Sequence, residues 1–286
     1  MLGRLIQPAE RFVKLINRGI HPGTKHGDGA RVFFCLDEAV NLVVGTDDQM
    51  HLAVRRVMRL LTHLPIWLFL LSTNTPLFYL APPARYNKSA RIASGELERL
   101  SPFYALPMDV EASELLSNDF HQAAFISLHG LSTVQHLTSF GRPLWYAYRN
   151  YSCRNLRQFV LQKLIGTTPY QPEDVNHVLA ALSSRICLEP VLYKLETIRL
   201  QERGIANHLR LITDMNIVDG VVRTTVPPEP LVSEAVANLL SSSAPAWPVS
   251  IHTLATRLLQ PGLIDKGRSG ELITRLLFVL SRDHCL

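Results

Sequence analysis

No two of the four cysteines stand close enough in the chain to suggest a disulfide scaffold or a zinc site; Cys35, Cys153, Cys187 and Cys285 are scattered. Four reduced thiols and an intracellular setting, cytoplasm or nucleus, are therefore expected. The first twenty residues contain Glu10 and several Arg and Lys and lack the apolar stretch of a secretory signal. No Lys/Arg block exceeds two residues, so the net charge of +5 does not by itself demand nucleic acid. The eleven histidines show no H-E-x-x-H or similar ligand spacing. Internal repeats and low-complexity tracts are missing too. The one segment resembling a membrane span, Leu64 to Leu80, is interrupted by Ser72, Thr73, Asn74, Thr75 and Pro76. A span needs about 20 mostly apolar residues, so a buried strand fits that segment better and no membrane partner is expected.

What is present is an ordinary folded composition, 47% apolar and 19% charged, over 286 residues. An amphipathic helix is predicted over Leu5–Asn17, followed by a Gly/His-rich loop through Gly23, Lys25, Gly27 and Gly29. The apolar runs Val32–Leu36 and Ile66–Leu71 suggest fully buried strands, joined by a helix from about Asp47 to His63. Strand, helix, strand within about 40 residues is a βαβ unit of a parallel sheet. Pro82 and Pro83 lead into a mainly helical region that ends near Gly166. Val175–Ser184 is expected helical, and the stretch from His208 to Pro230 suggests a β-hairpin turning at Asp219-Gly220. Leu231–Leu240 is a further helix, SSSAPAWP a flexible joint, and GRSGELITRLLFVLSRDHCL a strongly apolar helix in which the chain stops. The expected division is 1–82 for the α/β core, 83–166 for a helical lid, 167–246 for a small α+β domain and 247–286 for a C-terminal segment.

Two strand ends carry the candidate chemistry. FFCLDEA places Asp37 and Glu38 directly after an apolar strand, and WLFLLSTN ends in Ser72, Thr73 and Asn74. Open parallel sheets bind ligands at the carboxyl ends of their strands. There Asp37 can hold Mg²⁺, Glu38 can polarise a water for attack on a γ-phosphate, and Asn74 can orient that water. FFCLDEA resembles a Walker B strand, and LFLLSTN is similar to the sensor-1 strand of AAA+ and STAND-type P-loop NTPases. The FYALPMDVEASELL stretch followed by GRPLW, Gly141 to Trp145, resembles the lid of STAND ATPases, in which a Gly-x-Pro motif contacts the nucleotide base. The whole chain is also similar to fungal and crinkler-type NTPases.

The resemblance implies an α/β, partial P-loop NTPase sheet followed by a helical lid; the small α+β domain after it is expected either as a winged helix or as another α+β form. It implies ATP and Mg²⁺ as cofactors, Asp37 as metal ligand, Glu38 as base, Asn74 as sensor, and Gly141 and Pro143 at the nucleotide. Against it, the phosphate cradle G-x-x-x-x-G-K-[ST] occurs nowhere. The chain is thus expected to be a fragment or a degenerate relative, inactive alone. Plainer readings stand beside each role: Asp37-Glu38 as a loop cap, Asn74 as a turn former, and GRPLW as a Pro-started helix packing Trp145. Arg85 and Arg91 are solvated loop arginines or trans-acting fingers. Arg55, Arg56 and Arg59 form a solvated face or a nucleic-acid contact. Glu271 resembles the metal-binding Glu of restriction-endonuclease-like folds. The alternative function is a non-enzymatic module that binds a protein partner or a second copy of itself on an NTPase-like scaffold.

Overall fold

A computed structural model describes residues 3–20, 32–39, 42, 49–71, 94, 103–104, 106–112, 130, 132–152, 154–167, 169–192, 194–216, 221–242, 246–267 and 270–284. The chain is mixed α/β and divides into two units, Met1–Tyr79 and Leu80–Leu286. Among the described residues no helix is long and apolar enough to cross a membrane.

The first unit contains helix α1 (Gly3–Ile20), strand β1 (Val32–Leu36), helix α2 (Gln49–Leu60) and strand β2 (Ile66–Leu70). The strands pair in parallel and in register, Val32 opposite Ile66 through Leu36 opposite Leu70. A parallel pair needs a crossover, which α2 supplies. The expected burial of these strands is corrected: in β1 only Val32 is buried, and Phe33, Trp67 and Phe69 are 58%, 56% and 47% exposed. Pairing satisfies strand edges, whereas faces are buried only by elements laid over them. Phe33 and Phe69 meet at 5.9 Å on one face. On the other, Phe12 of α1 stacks on Phe34 at 6.4 Å, so side-chain alternation alone divides the aromatics between two faces.

The second unit follows as α3 (Val134–Leu137), α4 (Pro143–Tyr151), α5 (Leu156–Ile165), α6 (Val175–Ile186) and α7 (Leu195–Asn207). Then come β3 (Leu211–Asn216), β4 (Val221–Thr225), α8 (Pro230–Ser242), α9 (Ala246–Thr253) with a π-helical turn at Leu254–Leu259, and α10 (Glu271–His284). At its centre lies α6, buried almost all round through Val178, Leu179, Ala180, Ala181, Leu182, Ser183 and Ile186. Such a helix needs neighbours on every side; α5, α7, α8 and α10 provide them. Asp174 starts it, its carboxylate accepting from the N–H groups of Asn176 and His177. Strands β3 and β4 form the antiparallel hairpin, with a bulge between Ile212 and Asp214; Asp219-Gly220 lies outside the described residues.

One apolar cluster takes side chains from Trp145 to Leu272. The segments expected as lid, α+β domain and C-terminal piece therefore share a core. The expected joint at SSSAPAWP is corrected for its second half. Ala246 is buried, Pro248 lies in the first turn of α9 where its missing N–H costs nothing, and the Ser250 hydroxyl donates to the Ala246 carbonyl at 2.6 Å. Helix α10 buries Leu272 and leaves the apolar side chains of Ile273, Leu277 and Phe278 exposed. It is held by Arg185 of α6, whose Nη2 donates to both Asp283 oxygens at 2.6 and 2.7 Å, with Nη1 donating to the Ser233 carbonyl.

Arg210 is the pillar between hairpin and helices. It is 2% exposed, and its guanidinium donates to neutral acceptors: Thr224 Oγ1 and carbonyl, Ser183 Oγ and the Leu188 carbonyl. Burial pulls its pKa down to about 10, with Glu189 opposing, so it stays cationic at neutral pH. Its aliphatic stem lies on Gly204 of α7, where an added Cβ would meet Arg210 Cδ at 2.4 Å. At an ordinary helical site Gly→Ala stabilises by about 0.5–1 kcal/mol. Here Gly204→Ala should instead destabilise by about 1–3 kcal/mol, as overpacking does, read as a lower urea midpoint.

A second buried cluster holds two histidines. His208 Nδ1 donates to the Leu164 carbonyl at 2.7 Å, and its ring meets His177 edge-on at 6.1 Å. His177 Nδ1 accepts from the Gln171 N–H, and Tyr170 stacks on its ring. Burial pushes the His208 pKa below its ordinary value, the Leu164 carbonyl and Asp174 opposing and His177 adding to the depression. The native state therefore holds this proton less tightly than the unfolded chain does. Stability should be full above pH about 6.5 and fall as the pH drops through the depressed value. His208→Asn, which keeps a donor for Leu164, should flatten that acid limb in unfolding curves taken across pH 4–8.

Candidate functional site

The carboxyl ends of β1 and β2 are tied together beyond the strands. Leu71 N–H donates to the Leu36 carbonyl at 2.9 Å, and Ala39 N–H donates to the Leu71 carbonyl at 2.8 Å. Asp37 and Glu38 occupy the tight turn between these bonds. Asp37 Oδ1 accepts from the Glu38 N–H at 2.9 Å, and Glu38 sits in the left-handed region at φ 51°. Both carboxylates are exposed. This end of the sheet can present two acids to solvent, and Asp37 also caps its own turn, as the plainer reading expects. Asn74, Arg85, Arg91 and the Gly23–Gly29 loop lie outside the described residues. Arg56 and Arg59 are exposed on α2.

Gly141 and Pro143, the residues expected at a nucleotide, have a different setting. Gly141 is buried at φ 85°. It is held from one side by Asp109, whose Oδ1 accepts from the Gly141 N–H and whose own N–H donates to the Gly141 carbonyl at 3.0 Å. From the other side comes Glu229, in the Val-Pro-Pro-Glu-Pro turn before α8. A Cβ on Gly141 would lie 2.4 Å from Glu229 Cγ and 2.7 Å from its Oε1. Glycine is required there by both backbone angle and space.

Glu229 is 3% exposed and meets two hydrogen-bond donors and one guanidinium at the start of α4. Oε1 accepts from the Arg142 N–H at 3.0 Å and from Trp145 Nε1 at 2.7 Å, while Oε2 faces Arg142 Nη1 at 3.1 Å. A carboxylate at a helix N-terminus also meets the positive end of the helix dipole. Arg142 Nη2 donates onward to the Leu209 carbonyl, and Trp145 is fully buried with Phe159 against it edge-on. Burial pushes the Glu229 carboxyl up and the Arg142 guanidinium down, and their mutual attraction opposes both shifts. Pro143 takes the first position of α4 and faces solvent. GRPLW therefore has the arrangement of a Pro-started helix packing Trp145.

Glu229 and Asp109 escaped the sequence reading, since neither lies near GRPLW in the chain. The one available signal was a lone carboxylate set among prolines and apolar residues, where burial demands a cationic or hydrogen-bonding partner. Glu271, exposed at the start of α10, lines a shallow cleft with Cys187, Glu189, Asp265, Lys266 and Arg275. Among the described residues no group of three or more His, Cys, Asp or Glu side chains is placed to hold a metal ion. Comparison with protein-family models, curated proteins and solved structures gives no match.

Removing one member of a buried ion pair leaves the other uncompensated, at about 3–5 kcal/mol. Glu229→Ala should lose about that much stability. Gly141→Ala should lose a comparable part of it, and the double variant should lose less than the sum, because both disturb one contact. Urea unfolding of the three variants checks this. A wild-type midpoint for Gly141→Ala would return the motif to a surface role.

Proposed function

We propose that this chain is a non-enzymatic interaction module built on an NTPase-like scaffold. The observation that carries the reading is the Glu229 lock. Gly141, one of the two residues that would meet a nucleotide, is engaged with Arg142 instead in joining α4 to the turn before α8, while Pro143 opens the helix. The exposed aromatic face of Phe33, Trp67 and Phe69 in the first unit adds to it, since exposed apolar patches of this kind serve contacts with other macromolecules. A protein partner or a second copy of the chain is the occupant this reading assigns to that face.

A second reading, a nucleotide-dependent switch of the AAA+/STAND type, has one observation in its favour. The parallel β1–α2–β2 unit brings Asp37 and Glu38 to the carboxyl end of β1, the edge at which P-loop folds bind Mg²⁺ and phosphate. The finer fold expectation, a P-loop sheet with a helical lid and a winged-helix-like domain, belongs to that reading, as do ATP, Mg²⁺ and the Asn74 sensor. Most of a nucleotide's affinity comes from a cradle of backbone amides and a lysine around its phosphates, and the sequence supplies no Gly-Lys-Ser/Thr for one.

Calorimetric titration of Mg-ATP into the full chain separates the two. The module reading expects no binding at micromolar nucleotide. Micromolar binding that Asp37→Ala abolishes would establish the switch instead.

A further inference from the structure

Between Asp119 and Glu173 the chain has no acidic residue, while Arg142, Arg149, Arg154, Arg157 and Lys163 all fall in that interval. Five bases and no acids give +5, equal to the net charge of the whole chain. Arg142 is taken up by the Glu229 lock. The other four lie on α4, α5 and the turn between them. Arg154 and Lys163 are exposed, and neither forms an ion pair among the described residues. Arg157 has one acid nearby, Glu234 of α8 at 3.4 Å, which also faces Arg282 at 3.9 Å.

Aromatic rings are interleaved with these charges. The Arg149 guanidinium lies 4.5 Å over the Tyr146 ring and is steadied by the Gln135 carbonyl and Thr138 Oγ1. Tyr148 stacks flat on Phe159 at 3.7 Å, and Lys163 Nζ stands 5.5 Å over that same Phe159 ring. Tyr151, at the end of α4 and three residues from Arg154, is 90% exposed. An exposed tyrosine near Arg154, which forms no ion pair among the described residues, is poorly placed for stability and well placed for a ligand that carries both negative charge and flat rings.

We infer that the α4–α5 surface binds a single-stranded polynucleotide, with Arg154 and Lys163 on phosphates and Tyr151 stacking on a base. Flexible single strands can present phosphate and base face together, whereas a duplex hides its base faces. Helix α7, which precedes the hairpin, is a weaker candidate: Glu196 and Glu202 balance Arg199 and Arg203. An anionic membrane would call for exposed large apolar side chains among the bases. On α4 these are limited to Leu144, at 39% exposure, and Tyr151. The inference deepens the interaction-module reading by naming a partner for one face, and it rests on that reading. ATP titration tests the reading, and oligonucleotide binding tests the partner.

The experiment is fluorescence anisotropy of the full chain with labelled oligothymidylate and oligouridylate of about 15 nucleotides, a length within the usual site size. The dT and U arms distinguish DNA from RNA. Binding should weaken with salt, and Arg154→Glu/Lys163→Glu should lower the log–log slope by about 1.4, at about 0.7 per phosphate contact on single strands. Tyr151→Ala should weaken binding about tenfold with the slope unchanged, as loss of one stacked base does. All three residues are on the surface, so unchanged urea midpoints are expected. No binding at low salt overturns the inference. So does binding that the charge reversal leaves within twofold, or a preference for phosphatidylserine vesicles or a poly-glutamate peptide over both oligonucleotides.

Discussion

The second unit depends on one buried carboxylate. Glu229 cannot be desolvated alone, and the chain supplies it with the Arg142 guanidinium, the Arg142 backbone N–H and the Trp145 indole N–H. These demands fix neighbouring residues in turn. Gly141 must lack a side chain so that the carboxylate can approach, Pro143 opens α4 where no N–H is needed, and Trp145 is drawn into the core by its only donor. Through Trp145 the contact reaches Phe159 on α5, and through Arg142 it reaches Leu209 just before the hairpin. A five-residue stretch that resembles a nucleotide contact thus has a sufficient physical explanation in folding alone.

The same chemistry, cations buried against carefully placed oxygen acceptors, recurs at Arg185 and Arg210. Arg185 meets a carboxylate and holds α10. Arg210 has hydroxyls and carbonyls instead, and fixes the hairpin to α6. A guanidinium has five donors in a fixed fork, so each of these residues specifies the direction of several partners at once. Apolar packing around α6 supplies most of the driving force, and the arginines specify which arrangement of the surrounding helices is adopted.

Local signals were legible in the sequence. Unbroken apolar runs marked β1 and β2, their spacing around a helix implied the parallel pairing, and Asp219-Gly220 between alternating residues marked the hairpin. The helix expected over Val175–Ser184 lies within α6. What the sequence did not reveal depends on contacts between distant segments. Burial of β1 was overestimated because an apolar run reports what a strand could bury, not what is laid over it. Ala246 and Pro248 looked like a joint because proline at a first helical turn and proline in a loop have the same local signature. Glu229 was invisible for the same reason that it matters: its partners lie 84 and 87 residues away. At the candidate site, Asp37 and Glu38 were correctly seen to follow a strand, while the role of Gly141 could be assigned only once Glu229 was known to face it.

That 87-residue separation has a consequence for how the chain is made. Closing a loop of this length costs about 4 kcal/mol in chain entropy by the (3/2)RT ln n relation, before any contact offsets it. During synthesis, α4 leaves the ribosome well before the turn that carries Glu229, at a few to some twenty residues per second. For those seconds Arg142 and the Trp145 indole have no carboxylate, and the apolar side of α4 has no settled place to pack. The interval ends with the VPPEP turn, whose Glu229 follows the end of β4 by only four residues.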